Sequence, residues 1–239
     1  MFTVAILAGG LATRLRPITE TLPKSLLELN GEPFIGHQLR LLQANGVRQV
    51  VLCVGHLGEM IQNTVGNGTS FGLRVDYSFD GPTLLGTAGA VRNALPKLGD
   101  PFFVMYGDSY LPCDYASIAR TFESAGALGM MTVYRNEGKW DTSNVEFEAD
   151  RILAYNKTQR TPRMRYIDYG LGVFRAEVFR ALPPNQPCDL AELYGNLLRD
   201  KQLAACEVKE RFYEIGSPAG LQETAEFLAA AARDKTIAR

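Results

Sequence analysis

The first half of the chain alternates short apolar runs with segments of helical periodicity. Residues 3–7 form a continuous apolar run that ends in glycines, which predicts a buried strand. Over 34–45, Ile35, Leu39 and Leu42 recur at helical spacing and Gly46 follows as a stop. Residues 49–54 predict a second buried strand. Leu73, Val75, Tyr77 and Phe79 alternate with Arg74, Asp76 and Ser78, the period of a half-buried strand. A helix over 86–95 and a strand over 102–106 complete this half. The second half is mixed, with strands predicted near 128–134, 145–147, 152–155, 167–174 and 203–208. Asp189, with Glu192 three residues on and then Leu193, Tyr194 and Leu197, reads as a capped helix. Ser217 before Pro218 opens a last helix with Leu221, Ala225, Leu228 and Ala232 on one face. Strands alternating with helices of this length predict an α/β fold of βαβ units with a mostly parallel sheet.

Composition narrows the picture. The chain has 239 residues, and no repeat or Pro/Gly/Ser linker divides it, so 1–239 reads as one domain. Apolar residues make up 46% and charged ones 21%, which excludes disorder and fibrous architectures. The 25 Lys and Arg balance 26 Asp and Glu, so the basic footprint of a nucleic-acid binder is missing. Cys53, Cys113, Cys188 and Cys206 lie far apart and read as reduced thiols. No apolar stretch approaches the ~18 residues that span a bilayer. The opening residues turn into glycines too early for a signal peptide, and the expectation is a cytoplasmic protein without a membrane partner.

Directly after the first strand comes LAGGLATRLRPITETLPKSLLEL, residues 7–29. Glycines at a strand's carboxyl end let a ligand approach the backbone, whose N–H groups cradle phosphate oxygens. Neither the dinucleotide fingerprint nor the Walker loop fits. Instead Arg14 and Lys24 stand beside the glycines on a loop stiffened by Pro17 and Pro23. A planar fork and a point charge suit a triphosphate, while a surface turn with incidental charges is the plainer reading. Asp108, after Gly107, falls at the carboxyl end of strand 102–106, where a carboxylate points into the same crevice. Mg²⁺ takes one or two carboxylates plus phosphate oxygens, and Asp108 fits the first. His37 and His56 have no partners at nucleophile or metal spacing, and Trp140, in the polar loop RNEGKWDTSN, either covers a substrate or packs locally.

The stretch GGLATRLRPIT...PKSL resembles the signature of sugar-1-phosphate nucleotidyltransferases, GGxGTRLxPLT...PKxL. LGTAGA at 85–90, MYGDS at 105–109, Lys157, YGLGVF at 169–174 and FYEIGSP at 212–218 follow in the family's order. The resemblance covers essentially the whole chain. It implies a three-layer, Rossmann-like (GT-A-like) fold with a mostly parallel mixed central sheet and no appended β-helix. It also implies transfer of a nucleoside monophosphate from an NTP to a sugar 1-phosphate.

In that family's terms Arg14, Lys24 and Lys157 are catalytic, and Mg²⁺ is held by Asp108 and Glu214. Leu7, Ala8, Gly9, Gly10, Thr13, Gly86, Thr87, Ala88 and Gly89 bind the nucleotide. Asn144, Asn156, Lys157, Tyr169 and Gly170 bind the sugar phosphate. Three positions depart from the pattern: Ala12 replaces a loop glycine, Glu214 an aspartate, and Asn156 a glutamate. LGTAGA and the DTSNVEF and DYGLGVF stretches look closest to guanylyltransferases of mannose and manno-heptose 1-phosphates. A uridylyltransferase for N-acetylmuramate 1-phosphate or another hexose 1-phosphate is the alternative. A GT-A glycosyltransferase is disfavoured because Ser109 and Tyr110 follow Asp108 where an Asp-x-Asp motif would stand. A non-catalytic nucleotide sensor is disfavoured because Arg14 and Lys24 are kept. Relatives often dimerise, and a homodimer is the expected assembly.

Overall fold

The computed structural model describes residues 1–237, the side chains of 234–237 excepted, so 238 and 239 of the expected unit lie outside the described residues. In chain order it runs β1 (Thr3–Leu7), β2 (Glu28–Leu29), β3 (Glu32–Pro33), α1 (Phe34–Ala44), β4 (Gln49–Val54), α2 (Gly58–Val65) and β5 (Arg74–Phe79). Next come α3 (Gly86–Ala94), β6 (Phe102–Tyr106), β7 (Ser109–Tyr110), α4 (Tyr115–Ala125), β8 (Gly129–Arg135), β9 (Val145–Glu148), β10 (Arg151–Tyr155) and β11 (Tyr166–Phe174). Helices α5 (Ala176–Arg180) and α6 (Leu190–Arg199), strands β12 (Leu203–Val208) and β13 (Tyr213–Glu214), and α7 (Pro218–Ile237) follow.

The central sheet has the order β10-β9-β11-β6-β1-β4-β5, with β8 and β12 branching from β11. The β5-β4-β1-β6 half is parallel, and β11 enters antiparallel to β6. Continuous apolar strands make this a three-layer structure, because alternate side chains leave opposite faces. Val4, Ile6, Val50 and Leu52 meet Ile35, Leu39 and Leu42 of α1 and Ile118 and Phe122 of α4 on one face. Ala5, Val51, Phe102 and Val104 meet Val91 of α3, Phe179 of α5 and Leu193 of α6 on the other. The α/β fold anticipated from the pattern is therefore present, with the mixed central sheet that the resemblance implies.

Local capping chemistry sets the helix starts. Asp189 accepts the Ala191 amide at 2.8 Å, and Ser217 Oγ accepts the Gly220 amide at 3.0 Å. Three helices that periodicity did not single out also form: α2, α4 and α5. Of these, α4 is capped by Asp114 on the Ser117 amide at 2.9 Å, whereas α2 starts from Leu57 at φ +56° without a side-chain cap.

The chain leaves β1 for β4 on one side, while β6 joins β1 on the other. The strand order thus reverses between β1 and β6, and their carboxyl ends open a crevice of the kind that receives ligands in α/β sheets. Leu7 carbonyl accepts the Gly107 amide at 2.9 Å, closing the floor. A Cβ on Gly107 would stand 2.6 Å from that same oxygen, so only glycine permits the approach.

Candidate active site

A cleft of about 370 Å³ opens at this switch point. Its walls come from the loop after β1, the ends of β4, β5 and β6, the start of α3, and Gly216. Of the residues expected to bind a nucleotide, Leu7, Ala8, Gly9, Gly10, Thr13, Gly86 and Thr87 all line it. Ala88 and Gly89 do not: their amides donate to the Cys188 carbonyl at 2.9 and 3.3 Å, fastening α3 to the segment before α6. Thr87 is committed in the same direction, its hydroxyl accepting the Leu190 amide at 2.7 Å.

The loop after β1 folds through three short 3₁₀ turns. Ala12 lies at φ +46°, the conformation that favours the glycine found in the resembling pattern, at a cost of about 1 kcal/mol. Its carbonyl accepts Thr19 Oγ1 at 2.8 Å and the Leu15 amide at 3.1 Å, which hold the strained turn. Leu15, Leu27, Leu29 and Phe34 bury against Ile215 and Leu228, so the loop is anchored on α7.

Charge gathers at the β6 end of the cleft. Lys24 Nζ meets Asp108 Oδ2 at 2.6 Å. β13 pairs antiparallel with β7, placing Glu214 opposite Ser109. The Glu214 carboxylate then turns onto its own loop, accepting the Gly216 amide and Ser217 Oγ (2.7 Å) at the start of α7. A Cβ on Gly216 would collide with Glu214 Oε2, and would lie 2.9 Å from Arg14 Nη2 and 3.1 Å from Lys24 Nζ. Two cations and one carboxylate therefore converge on a space that a glycine leaves open.

Among the described residues no group of three or more His, Cys, Asp or Glu forms a cage for a metal ion. What the cleft offers is Asp108, with Glu214 beside the two cations. That donor set fits a Mg²⁺ that takes one or two carboxylates and draws its other oxygens from a bound phosphate.

Residues expected at the sugar phosphate divide. Lys157 Nζ donates to the Tyr106 hydroxyl at 3.3 Å and lies 5.5 Å above its ring, and Tyr106 lines the cleft. Gly170, at φ +95° in a bulge of β11, faces the Tyr106 ring and Ser109 Oγ. Asn144 and Asn156 shape backbone instead: Asn144 Oδ1 accepts the Asp168 amide at 3.0 Å, and Asn156 Oδ1 those of Thr158 and Gln159. The Tyr169 side chain is 1% exposed and packs on Tyr134 and Phe212 in the core, away from the cleft. Trp140 lies off the cleft too, with the Arg211 guanidinium 3.3 Å above its ring.

Three residues of the site escaped pattern reading. Gln38, wholly buried on α1, donates to the carbonyls of Tyr106 (3.3 Å) and Ser109 (2.8 Å), which bracket Gly107 and Asp108. Asp168 sits behind Tyr106, and burial raises its pKa against the pull of Lys157 and of the Gly170 amide. Asp80 closes the far end of the cleft. A polar residue on an apolar helix face was the available signal for Gln38; the two aspartates carried none.

A family model for nucleotidyl transferases matches residues 3–231. The chain belongs to the nucleotidyl transferase family. Its resemblance to the sugar-1-phosphate members is borne out, and so is the expectation of an enzyme. This nucleotidyl transferase is 29% identical over 225 residues to N-acetylmuramate alpha-1-phosphate uridylyltransferase of Neisseria meningitidis, a match covering 91% of this chain and 94% of that one. It is 28% identical over 219 residues to the catalytic subunit beta of mannose-1-phosphate guanylyltransferase of Xenopus tropicalis, covering 89% of this chain but only 61% of that protein. A candidate glucose-1-phosphate thymidylyltransferase of Bacillus anthracis, crystallised with sucrose, shares the fold with a TM-score of 0.83 at 22% identity, over 96% of this chain and 95% of that one. No helix among the described residues is long and apolar enough to cross a membrane.

Proposed function

We propose that this chain transfers a nucleoside monophosphate from an NTP to a sugar 1-phosphate, with residues 1–239 working as one catalytic unit in the cytoplasm. The observation that carries the reading is the convergence of Arg14, Lys24 and the Lys24–Asp108 ion pair at one end of a glycine-walled cleft. An anionic oxygen of the acceptor phosphate attacks the α-phosphorus, and the bond to the bridging oxygen of the β-phosphate breaks to release pyrophosphate. The attacking oxygen is already charged, so no protein base or nucleophile is required. Catalysis is positioning and charge neutralisation.

Arg14 holds the departing β- and γ-phosphates and Lys24 the α-phosphate. Lys157, steadied on Tyr106, aligns the acceptor phosphate. The backbone of Leu7–Gly10 and the Gly86–Thr87 turn hold base and ribose. Asp108 and Glu214 would hold Mg²⁺, which supplies additional neutralisation of the triphosphate when bound.

GTP is the favoured donor, and a mannose or manno-heptose 1-phosphate the favoured acceptor, on the strength of the LGTAGA, DTSNVEF and DYGLGVF stretches. The second reading is UTP with N-acetylmuramate 1-phosphate, supported by a relative of nearly the same length. A homodimer is the proposed assembly, to be checked by light scattering at micromolar concentration. The deciding assay is pyrophosphate release in a matrix of four nucleoside triphosphates against mannose, manno-heptose, glucose and N-acetylmuramate 1-phosphates, with Mg²⁺ and after chelation. Release with one sugar 1-phosphate, lost on chelation, is expected. Absence of release from every pair overturns the reaction, and UTP outrunning GTP with every sugar overturns the guanylyl preference alone.

A further inference from the structure

A pile of flat side chains stands outside the cleft, where β13 meets α7. Phe212 turns inward against Tyr134 and Tyr169, while Arg211 and Tyr213, on either side of it, come together under Trp140. The Arg211 guanidinium lies 3.3 Å from the centre of the Trp140 ring and 4.7 Å from that of Tyr213. Tyr213 stacks on Phe227 of α7 at 4.0 Å, and Phe227 meets Tyr110 of β7 edge-on at 6.0 Å. The pile therefore runs from the loop after β8 to β7. Tyr213 immediately precedes Glu214, and Tyr110 stands two residues after Asp108.

The outer end is built to stay in place. Trp140 is 44% exposed, yet the wholly buried Asn136 accepts its amide at 3.2 Å and donates to Ser143 Oγ at 3.1 Å, which fixes the loop that carries it. Arg211 also pairs with Glu223 of α7. Its Nε is buried without a hydrogen-bond partner among the described residues, a cost that an arginine left in water avoids. The guanidinium is thus held by its flat face. Trp140, Arg211 and Glu214 border one cavity of about 80 Å³, so the pile reaches the carboxylate itself.

Glu214 needs such support. β13 pairs with β7 through only Tyr213–Tyr110 and Glu214–Ser109, a ladder too short to hold its own position. We propose that the Trp140–Arg211 stack is a positioning device for the divalent-cation site: it presses β13 onto β7 and sets the reach of Glu214 toward Asp108. Neither Trp140 nor Arg211 lines the cleft, so both act through Tyr213 and Glu214. This assignment rests on the reading of Asp108 and Glu214 as the Mg²⁺ carboxylates.

Trp140 is the chain's single tryptophan, so its fluorescence reports on the site without turnover. Mn²⁺ takes oxygen ligands as Mg²⁺ does, and it quenches an indole close to where it binds. On the full chain without nucleotide, Mn²⁺ should quench Trp140 saturably, Mg²⁺ should reverse the quenching, and Glu214→Gln should weaken it. Arg211→Met keeps the apolar stem and the fluorescent probe but removes the flat cation. Its midpoint should move at least ~10-fold to higher Mn²⁺, the effect of losing a group that orients a metal ligand. Arg211→Lys keeps a charge for Glu223 without the planar face, and its midpoint should move in the same direction.

Pyrophosphate release against Mg²⁺ concentration gives a second reading. Trp140→Leu should need ~10-fold more Mg²⁺ for half-maximal rate and recover kcat at saturating Mg²⁺, and Trp140→Phe should stay close to the wild type. An Arg211→Met or Arg211→Lys midpoint equal to the wild type's, with quenching that still depends on Glu214, overturns the positioning role and leaves the metal site standing. So does a Trp140→Leu protein that melts lower with an unchanged Mg²⁺ requirement, since that is packing alone. No saturable quenching in the wild type removes Glu214 from the metal site and the positioning role with it. Shifted Mn²⁺ midpoints without release from any sugar 1-phosphate sink only the reaction.

Discussion

Lys24 Nζ and Asp108 Oδ2 stand 2.6 Å apart although 84 residues separate them in the chain. Lys24 is 13% exposed and Asp108 33%, so the pair is only partly shielded from water. It is a poised arrangement more than a structural staple, because both charges line the cleft, where a ligand can reach them. In the proposed reaction a bound triphosphate would replace Asp108 as the partner of Lys24, and Mg²⁺ would replace Lys24 beside Asp108.

Replacing either partner should therefore spare the fold and remove the chemistry. Lys24→Ala and Asp108→Asn are each expected to lower kcat at least ~100-fold, the range seen when one preorganised charge-stabilising group is lost. Pyrophosphate release reads the rate, and a thermal melt checks folding. Full activity in either variant would remove these residues from the mechanism.

Two glycines in the same site should fail differently. In Gly216→Ala the new methyl meets the far ends of Glu214, Arg14 and Lys24, which swing aside, so the protein should fold but lose at least ~10-fold in rate. In Gly107→Ala the methyl meets the backbone of Leu7 and Ala8, which cannot move without unseating β1. Overpacking of this kind costs ~1–3 kcal/mol, and its mark should be a lowered Tm. Calorimetry and the rate assay on both proteins separate the two effects.

Gln38 tests whether Asp108 is held from behind. Gln38→Leu keeps the shape but leaves the Tyr106 and Ser109 carbonyls without their donor. A loss of ~1–3 kcal/mol is expected for stranding a buried acceptor. Each kcal/mol lowers Tm by roughly 2–4 °C in a chain of this size. Because those carbonyls bracket Asp108, kcat should fall as well, whereas a purely structural role would leave kcat at low temperature unchanged.

Asp168 should make stability depend on pH. It is enclosed by Tyr106, Tyr155 and Tyr194 with Lys157 and Asp189 nearby, and burial raises its pKa in the folded state. The folded protein then binds more protons than the unfolded chain between the ordinary carboxylate value and the raised one. Stability from this group therefore falls as pH rises through that window. Asp168→Asn, which keeps an acceptor for the Gly170 amide, should melt higher than the wild type at neutral pH, by roughly 2–4 °C per kcal/mol relieved. The gap should close as pH drops below the unfolded value. A gap independent of pH would show that Asp168 stays charged in the fold.

Much of this molecule follows from neighbours along the chain. Continuous apolar runs determined β1, β4 and β6, because a strand covered on both faces needs no alternation. Asp189 and Ser217 determined where α6 and α7 begin, since a cap needs only an amide two or three residues on. Residue types alone left the glycine loop with Arg14 and Lys24 open between a phosphate site and a surface turn, and the family signature favoured the first. The tertiary structure decided which distant groups meet. The reversal of strand order between β1 and β6 brings Lys24 to Asp108, and Gln38 to carbonyls 68 and 71 residues away. Pairing of β13 with β7 turns Glu214 toward α7, and the packing of β11 sends Tyr169 into the core while Gly170 faces the Tyr106 ring and Ser109. Periodicity reports which face of an element is apolar. It carries no term for which loop end lies opposite which, and that depends on topology and on the contacts that close long stretches of chain.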